Sequence, residues 1–138
     1  MTEVKLNNKF SLHDKYTLLE GRIILSGIQA LVRLLLDQNR ADLIKGLNTG
    51  TLVSGYRGSP VGMLDINLIR NKKLIDQHNI KFIPGVNEDL GATLIYGSQM
   101  AGMVSNVKYD GVMGMWYGKA PGVDRSGDIF RHANPRIS

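Results

Sequence analysis

The chain contains no cysteine. Disulfides, thiolate nucleophiles, zinc–thiolate centres and iron–sulfur clusters are therefore excluded from its own chemistry. Histidine is scarce as well: His13, His78 and His132 are too dispersed to suggest a metal site, and none is expected. No apolar run reaches bilayer-spanning length, and the first eight residues lack the apolar core of a secretory signal. A cytoplasmic protein without membrane association is the expectation. The net charge of +5 is spread thinly, with Lys72-Lys73 as its one basic doublet, which gives no nucleic-acid footprint. The Gly-Lys-Ser/Thr ending of a phosphate-binding P-loop and the Gly-x-Gly-x-x-Gly dinucleotide fingerprint are both missing.

What is present suits one globular domain: 138 residues, 43% of them hydrophobic and 21% charged. Glycine, at 16 residues, is plentiful and gathers in three loops. Residues 1–15 read as a polar, irregular arm. The short apolar run Arg22–Leu25 leads to Ser26-Gly27, a helix entry. Ile28, Leu31, Val32, Leu35, Leu36 and Leu43 keep helical spacing to about Lys45, and Gly46 suits the C-terminal cap. Strands are expected at Thr51–Ser54, Lys81–Ile83 and Gly111–Tyr117, and a less cleanly patterned helix over 61–78. A further helix starts near Asn87, a good N-cap, with Glu88 and Asp89 in its first turn and many small residues after them. Alternating strands and helices predict an α/β fold, a mostly parallel sheet with helices on both faces.

Each strand runs into a polar loop: Gly55-Tyr-Arg-Gly-Ser-Pro60, Pro84-Gly-Val-Asn-Glu-Asp89 and Tyr117–Asp128. In an open parallel sheet such loops converge at the carboxyl edge, where ligands bind. Glu88 admits two readings. It is a helix N-terminal acid worth at most about 1 kcal/mol, or a partly buried carboxylate that shares a proton with a bound ring nitrogen. Asp89 fits both readings, since one acid can face a ligand and the other the solvent. The first loop is either a plain strand-to-helix turn with Pro60 at the first helical position, or a ligand loop carrying Arg57 and Ser59. The third is either a solvated loop or the rim of a site, with Lys119, Asp124, Arg125 and Asp128 among its glycines.

Several segments together carry a resemblance. They are Leu25-Ser-Gly-Ile-Gln-Ala-Leu-Val-Arg33, Val53-Ser-Gly-Tyr-Arg-Gly-Ser-Pro60, Pro84-Gly-Val-Asn-Glu-Asp-Leu90 and Lys108-Tyr-Asp-Gly-Val112. Met115-Trp-Tyr-Gly-Lys119 and Pro121-Gly-Val-Asp-Arg-Ser-Gly-Asp128 continue the set, running on to Phe130-Arg-His-Ala-Asn134. Over residues 16–134 the chain resembles the start of the fused indolepyruvate ferredoxin oxidoreductases. These belong to the thiamine-diphosphate-dependent 2-oxoacid:ferredoxin oxidoreductases.

The resemblance implies the thiamine-diphosphate-binding fold, here incomplete, with 16–134 as its pyrimidine-binding domain and 135–138 as a divergent tail. It implies that Glu88 is catalytic, hydrogen-bonding N1′ of the aminopyrimidine so that the cofactor can lose its thiazolium C2 proton. Gly58, Ser59 and Pro60 join Glu88 as cofactor contacts, while Arg57, Lys119 and Arg125 are candidates for the substrate carboxylate. The implied activity is oxidative decarboxylation of an aryl 2-oxoacid to acyl-coenzyme A, with electrons passed to ferredoxin.

The chain also departs from that pattern. The Gly-Asp-Gly and following Asn of a diphosphate–Mg²⁺ site do not occur, and the cluster cysteines are absent. Mg²⁺, diphosphate and iron–sulfur clusters are thus expected on a partner domain or subunit. The chain reads as a fragment, a truncated frame or one subunit of a split enzyme, inactive alone and expected to form a homo-oligomer. Two rivals stand beside this: a non-catalytic remnant or binding domain of the same fold, and half of a different thiamine-diphosphate enzyme.

Overall fold

The computed structural model describes residues 10–58 and 61–133. Three strands, β1 (Thr49–Gly55), β2 (Ile80–Phe82) and β3 (Gly111–Tyr117), form one sheet in the order β2-β1-β3. Both pairings are parallel, with Thr51 opposite Ile80 on one side and Met113 on the other. β1 is the central strand, and five of its seven residues are buried, as expected of a strand covered on both faces.

Around the sheet lie α1 (Asp14–Thr17), α2 (Gly27–Ile44), α3 (Leu64–Arg70), α4 (Lys72–Gln77), α5 (Glu88–Gln99), α6 (Ala120–Arg125) and α7 (Gly127–Ala133). Among the described residues none is long and apolar enough to cross a membrane. One face of the sheet presents Val53, Ile80 and Tyr117 to a core built with Val32, Leu35 and Leu36 of α2, Leu64 and Leu68 of α3, and Ile75 of α4. The other face is covered by α5, whose Ile95 and Gln99 lie over Gly114. The chain thus passes from β1 to β2 along one face and from β2 to β3 along the other, giving the α/β layering the sequence predicts.

Local chemistry sets the ends of α2. Ser26 Oγ accepts from Gln29 N at 3.3 Å while Gln29 Oε1 accepts from Ser26 N at 3.0 Å, a reciprocal capping box. Gly46 closes the helix with φ +77°, a left-handed conformation that glycine adopts without steric cost. Arg33 and Arg40 reach back from α2 to the carbonyls of Lys15, Tyr16 and Leu18, binding the end of the arm to the domain. Tyr16 is buried there.

Two stretches differ from expectation. The single helix predicted over 61–78 is two helices broken at Asn71, whose amide donates to Asn67 O at 2.7 Å. A short side chain that bonds nearby backbone competes with helix propagation. The stretch Tyr117–Asp128, expected as a loop, is mostly helical, comprising α6 and the start of α7. Pro121 in the first turn of α6 suits a helix start, and the glycines around it mask that signal.

Candidate functional site

The loop leaving β1 runs to α3, whereas those leaving β2 and β3 run to α5 and α6. Parallel strands whose exits diverge to opposite faces leave a crevice at their carboxyl ends. The exits are tied together there. Gly85 N donates to Gly55 O at 2.9 Å, and Tyr56 N donates to Tyr117 O at 3.2 Å. Gly55 sits where all three meet: a Cβ on it would fall 2.1 Å from Tyr117 O. Gly91 of α5 packs directly against the Gly55 backbone. The three loops therefore converge on one edge, as the sequence predicts.

Glu88 is the first residue of α5. Asn87 caps the helix, its side-chain oxygen accepting from Leu90 N at 2.8 Å. The Glu88 carbonyl accepts from Trp116 Nε1 at 3.2 Å, and the Trp116 ring meets Phe130 edge-on at 5.0 Å. The side-chain stem lies on Gly122 of α6, where a Cβ would come within 2.4 Å of Glu88 Cγ. Glu88 is thus half-buried and held from two sides. Its carboxylate makes no hydrogen bond or ion pair among the described residues.

Asp89 has a different task from the one expected. It turns neither to ligand nor freely to solvent but accepts from Arg125 Nε at 2.6 Å and from Ser126 Oγ at 3.3 Å. That tie fastens α6 to α5, and the hydrogen bond to Asp89 raises the Arg125 pKa above its ordinary value. Arg125 therefore stands at the rim already engaged.

Arg57 and Lys119 are not engaged in that way. Arg57 is exposed, and its Nε lies 3.2 Å from the carboxylate of Asp65, a buried residue at the start of α3. Lys119 lays its stem across Gly58, its Cδ 3.4 Å from where a Cβ would sit. The exits of β1 and β3 thus bring the two cations to the same rim. Beneath them Tyr117 is buried, and its hydroxyl is pushed up to about 12, by desolvation first and then by the Asp65 charge, with Arg57 opposing. Ser59 and Pro60 lie outside the described residues, as does the tail 135–138.

Among the described residues no group of three His, Cys, Asp or Glu could hold a metal ion. Glu88 offers an unpaired carboxylate, partly removed from water, above a floor of glycine backbone. Such a group can accept a hydrogen bond from, or share a proton with, a ring nitrogen. Ser54 Oγ, fully buried beside Gly91, likewise has no partner among the described residues. A cavity of about 170 Å³ lies elsewhere, between α3, α4 and β2, with Leu68, Ile75 and Phe82 in its lining. It touches none of these groups.

Sequence reasoning missed Asp65, Gly122 and Tyr117. Asp65 looks like any acid on a polar helix turn, and only the folded chain shows it buried. Gly122 carries no local signal for its contact with Glu88, because the two are far apart in sequence. No family model matches the chain, and neither the curated proteins nor the solved structures give a match.

Proposed function

We propose that this chain is the pyrimidine-binding half of a thiamine-diphosphate-dependent 2-oxoacid:ferredoxin oxidoreductase of the indolepyruvate type. The observation that carries the reading is Glu88: a half-buried carboxylate without a partner among the described residues, on the first turn of a helix at the mouth of a parallel sheet. The resemblance of the segments named above, within residues 16–134, to that family supports it.

Bound thiamine diphosphate supplies a thiazolium that accepts the electron pair left when a 2-oxoacid loses carbon dioxide. Glu88 would hold a proton at the pyrimidine N1′, from a stem seated on Gly122 and a backbone carbonyl bonded to Trp116. Gly58, with Ser59 and Pro60 after it in sequence, forms the loop that the resemblance gives as the further cofactor contact. Arg57, Lys119 and Arg125 supply positive charge for the substrate carboxylate. The diphosphate and Mg²⁺ site, the clusters, and the contacts to coenzyme A and ferredoxin belong to a partner domain or subunit.

A second reading, a binding module of the same fold without chemistry, is favoured by exposed apolar residues beside the mouth. Val86 is 80% exposed and Leu90 53%. Such residues suit a docked partner whether or not a cofactor lies between.

One titration separates the two. Thiamine diphosphate with Mg²⁺ is titrated calorimetrically into this chain, into the diphosphate-binding partner and into both together. The oxidoreductase reading expects heat in the mixture alone, and its loss with Glu88→Gln at unchanged circular dichroism. Equal binding or turnover with Glu88→Gln sinks the reading; a complex that forms without cofactor leaves the binding module.

A further inference from the structure

Away from the mouth, α3 and α4 leave a gap against β2. Leu68 and Ile69 of α3 and Lys72, Ile75 and Asp76 of α4 keep one helical face across the break at Asn71, and that face borders a cavity closed on its other side by Phe82. The cavity measures about 170 Å³. Close-packed interiors hold few voids larger than a water molecule, so a space of this size is a distinct feature of the fold. Leu68 and Ile75 are fully buried in its wall, whereas Ile69, 58% exposed, stands at its lip. It therefore has an apolar floor and an opening to solvent.

The walls set the body of a ligand. Side chains of Leu, Ile and Phe offer no hydrogen bond, so a polar group placed among them would lose its water without return. Apolar cavities of about 150 Å³ with these same residue types hold a benzene ring. One ring, or a branched chain of that size, fits the space.

The lip sets its charge. Among the described residues, Lys72, Asp76 and Lys81 are the polar ones that border the cavity. Lys72 and Asp76 neutralise each other in an ion pair one turn apart on α4. Lys81, at the centre of β2, makes no ion pair or side-chain hydrogen bond among the described residues. One positive charge is thus left over beside an apolar hole.

We propose that this cavity is a second ligand site, for a small apolar monocarboxylate whose ring or branched chain enters between Leu68, Ile75 and Phe82 and whose carboxylate meets Lys81. The site shares no residue with the mouth of the sheet and does not depend on the thiamine reading.

The test records the methyl resonances of Leu68, Ile69 and Ile75 in the ¹³C-methyl-labelled 138-residue chain as phenylacetate is added. The three should shift together and saturably. Phenylacetamide has the same shape without the charge and should bind about threefold more weakly, the scale of one exposed ion pair. Acetate, which lacks the ring, should leave the three unmoved. Lys81→Gln should lower the affinity for phenylacetate to that for phenylacetamide, and added salt should act in the same direction. Ile69→Trp, at a surface position, should block the lip and abolish binding at unchanged circular dichroism. Should that variant fail to fold, the comparison of acid with amide in the unmutated chain still decides.

Methyls that ignore phenylacetate overturn the proposal, as does equal binding of the amide or undiminished binding by the Lys81→Gln chain. Shifts at Val86 and Leu90 in place of these three would put the acid at the mouth and overturn it as well.

Discussion

Glu88 rests on Gly122, a residue of another helix and more than thirty positions away: a methyl group at 122 would lie 2.4 Å from Glu88 Cγ and 3.2 Å from Cβ. These atoms are the root of the side chain, so they cannot swing aside as the tip of a flexible chain would. Gly122→Ala must therefore move the Glu88 stem or push α6 away. By propensity alone alanine should stabilise a helical position by about 0.5–1 kcal/mol over glycine. The expected outcome is a stability change near zero, with loss of any Glu88-dependent binding. In a Glu88→Ala background, where only the 3.2 Å contact with Cβ remains, the same substitution should gain part of that increment. Urea unfolding of the two singles and the double measures this coupling, and additive free energies would show the contact to be unimportant.

Gly55→Ala meets a harder obstacle. The added carbon would fall 2.1 Å from the Tyr117 carbonyl oxygen and 2.7 Å from its ring, so β1 and β3 must part at their exits. Overpacking in a closed interior costs about 1–3 kcal/mol, and backbone yields less readily than side chain. The melting temperature should drop by about 10 °C, at roughly 4 °C per kcal/mol for a chain of this size. An unchanged melting temperature would mean that the strand exits are looser than described.

The sequence was legible where local chemistry decides structure. The Ser26–Gln29 box and Gly46 bracket α2, and Asn87 opens α5, each through contacts within four residues. β3 could be read because an apolar run stands between a polar turn and a glycine. α6 could not, because part of what holds it is Asp89 of α5, bonded to Arg125 and Ser126. The site divides in the same way. Glu88 announces itself as an acid at a strand-to-helix junction. Its seat on Gly122, and the burial of Asp65 beneath Arg57, exist only after distant segments meet.

Ser26→Ala removes half of the capping box that starts α2. A lost cap costs about 0.5–2 kcal/mol, and this one lies at an exposed end, which places it near 1 kcal/mol. Because α2 carries Val32, Leu35 and Leu36 into the core, the loss should appear in global unfolding rather than as local fraying. Ser26→Asp, whose carboxylate can accept from the same amide, should recover most of it. Urea midpoints that do not distinguish Ser26→Ala from Ser26→Asp would show that the cap contributes nothing.

Tyr117 gives the chain a distinctive alkaline response. Desolvation and the Asp65 charge push its hydroxyl up to about 12 from 10.0, so the folded chain keeps this proton more tightly than the unfolded one. Where the native state binds the extra proton, stability falls as pH rises. The contribution is whole below about pH 10 and is lost as pH climbs through about 12. Its size is on the order of 1–2 kcal/mol, discounted for the water and the arginine near the hydroxyl. Tyr16 is raised as well, through burial, with a hydrogen bond to Asn71 opposing, so it contributes in the same direction. Titration of tyrosinate absorbance should therefore show two late-ionising groups among the five tyrosines. Tyr117→Phe should remove one of them and flatten part of the loss of stability above pH 10, measured by urea unfolding at half-unit steps. If the variant and the parent lose stability in parallel over that range, the Tyr117 hydroxyl is not the buried, charge-flanked group described here.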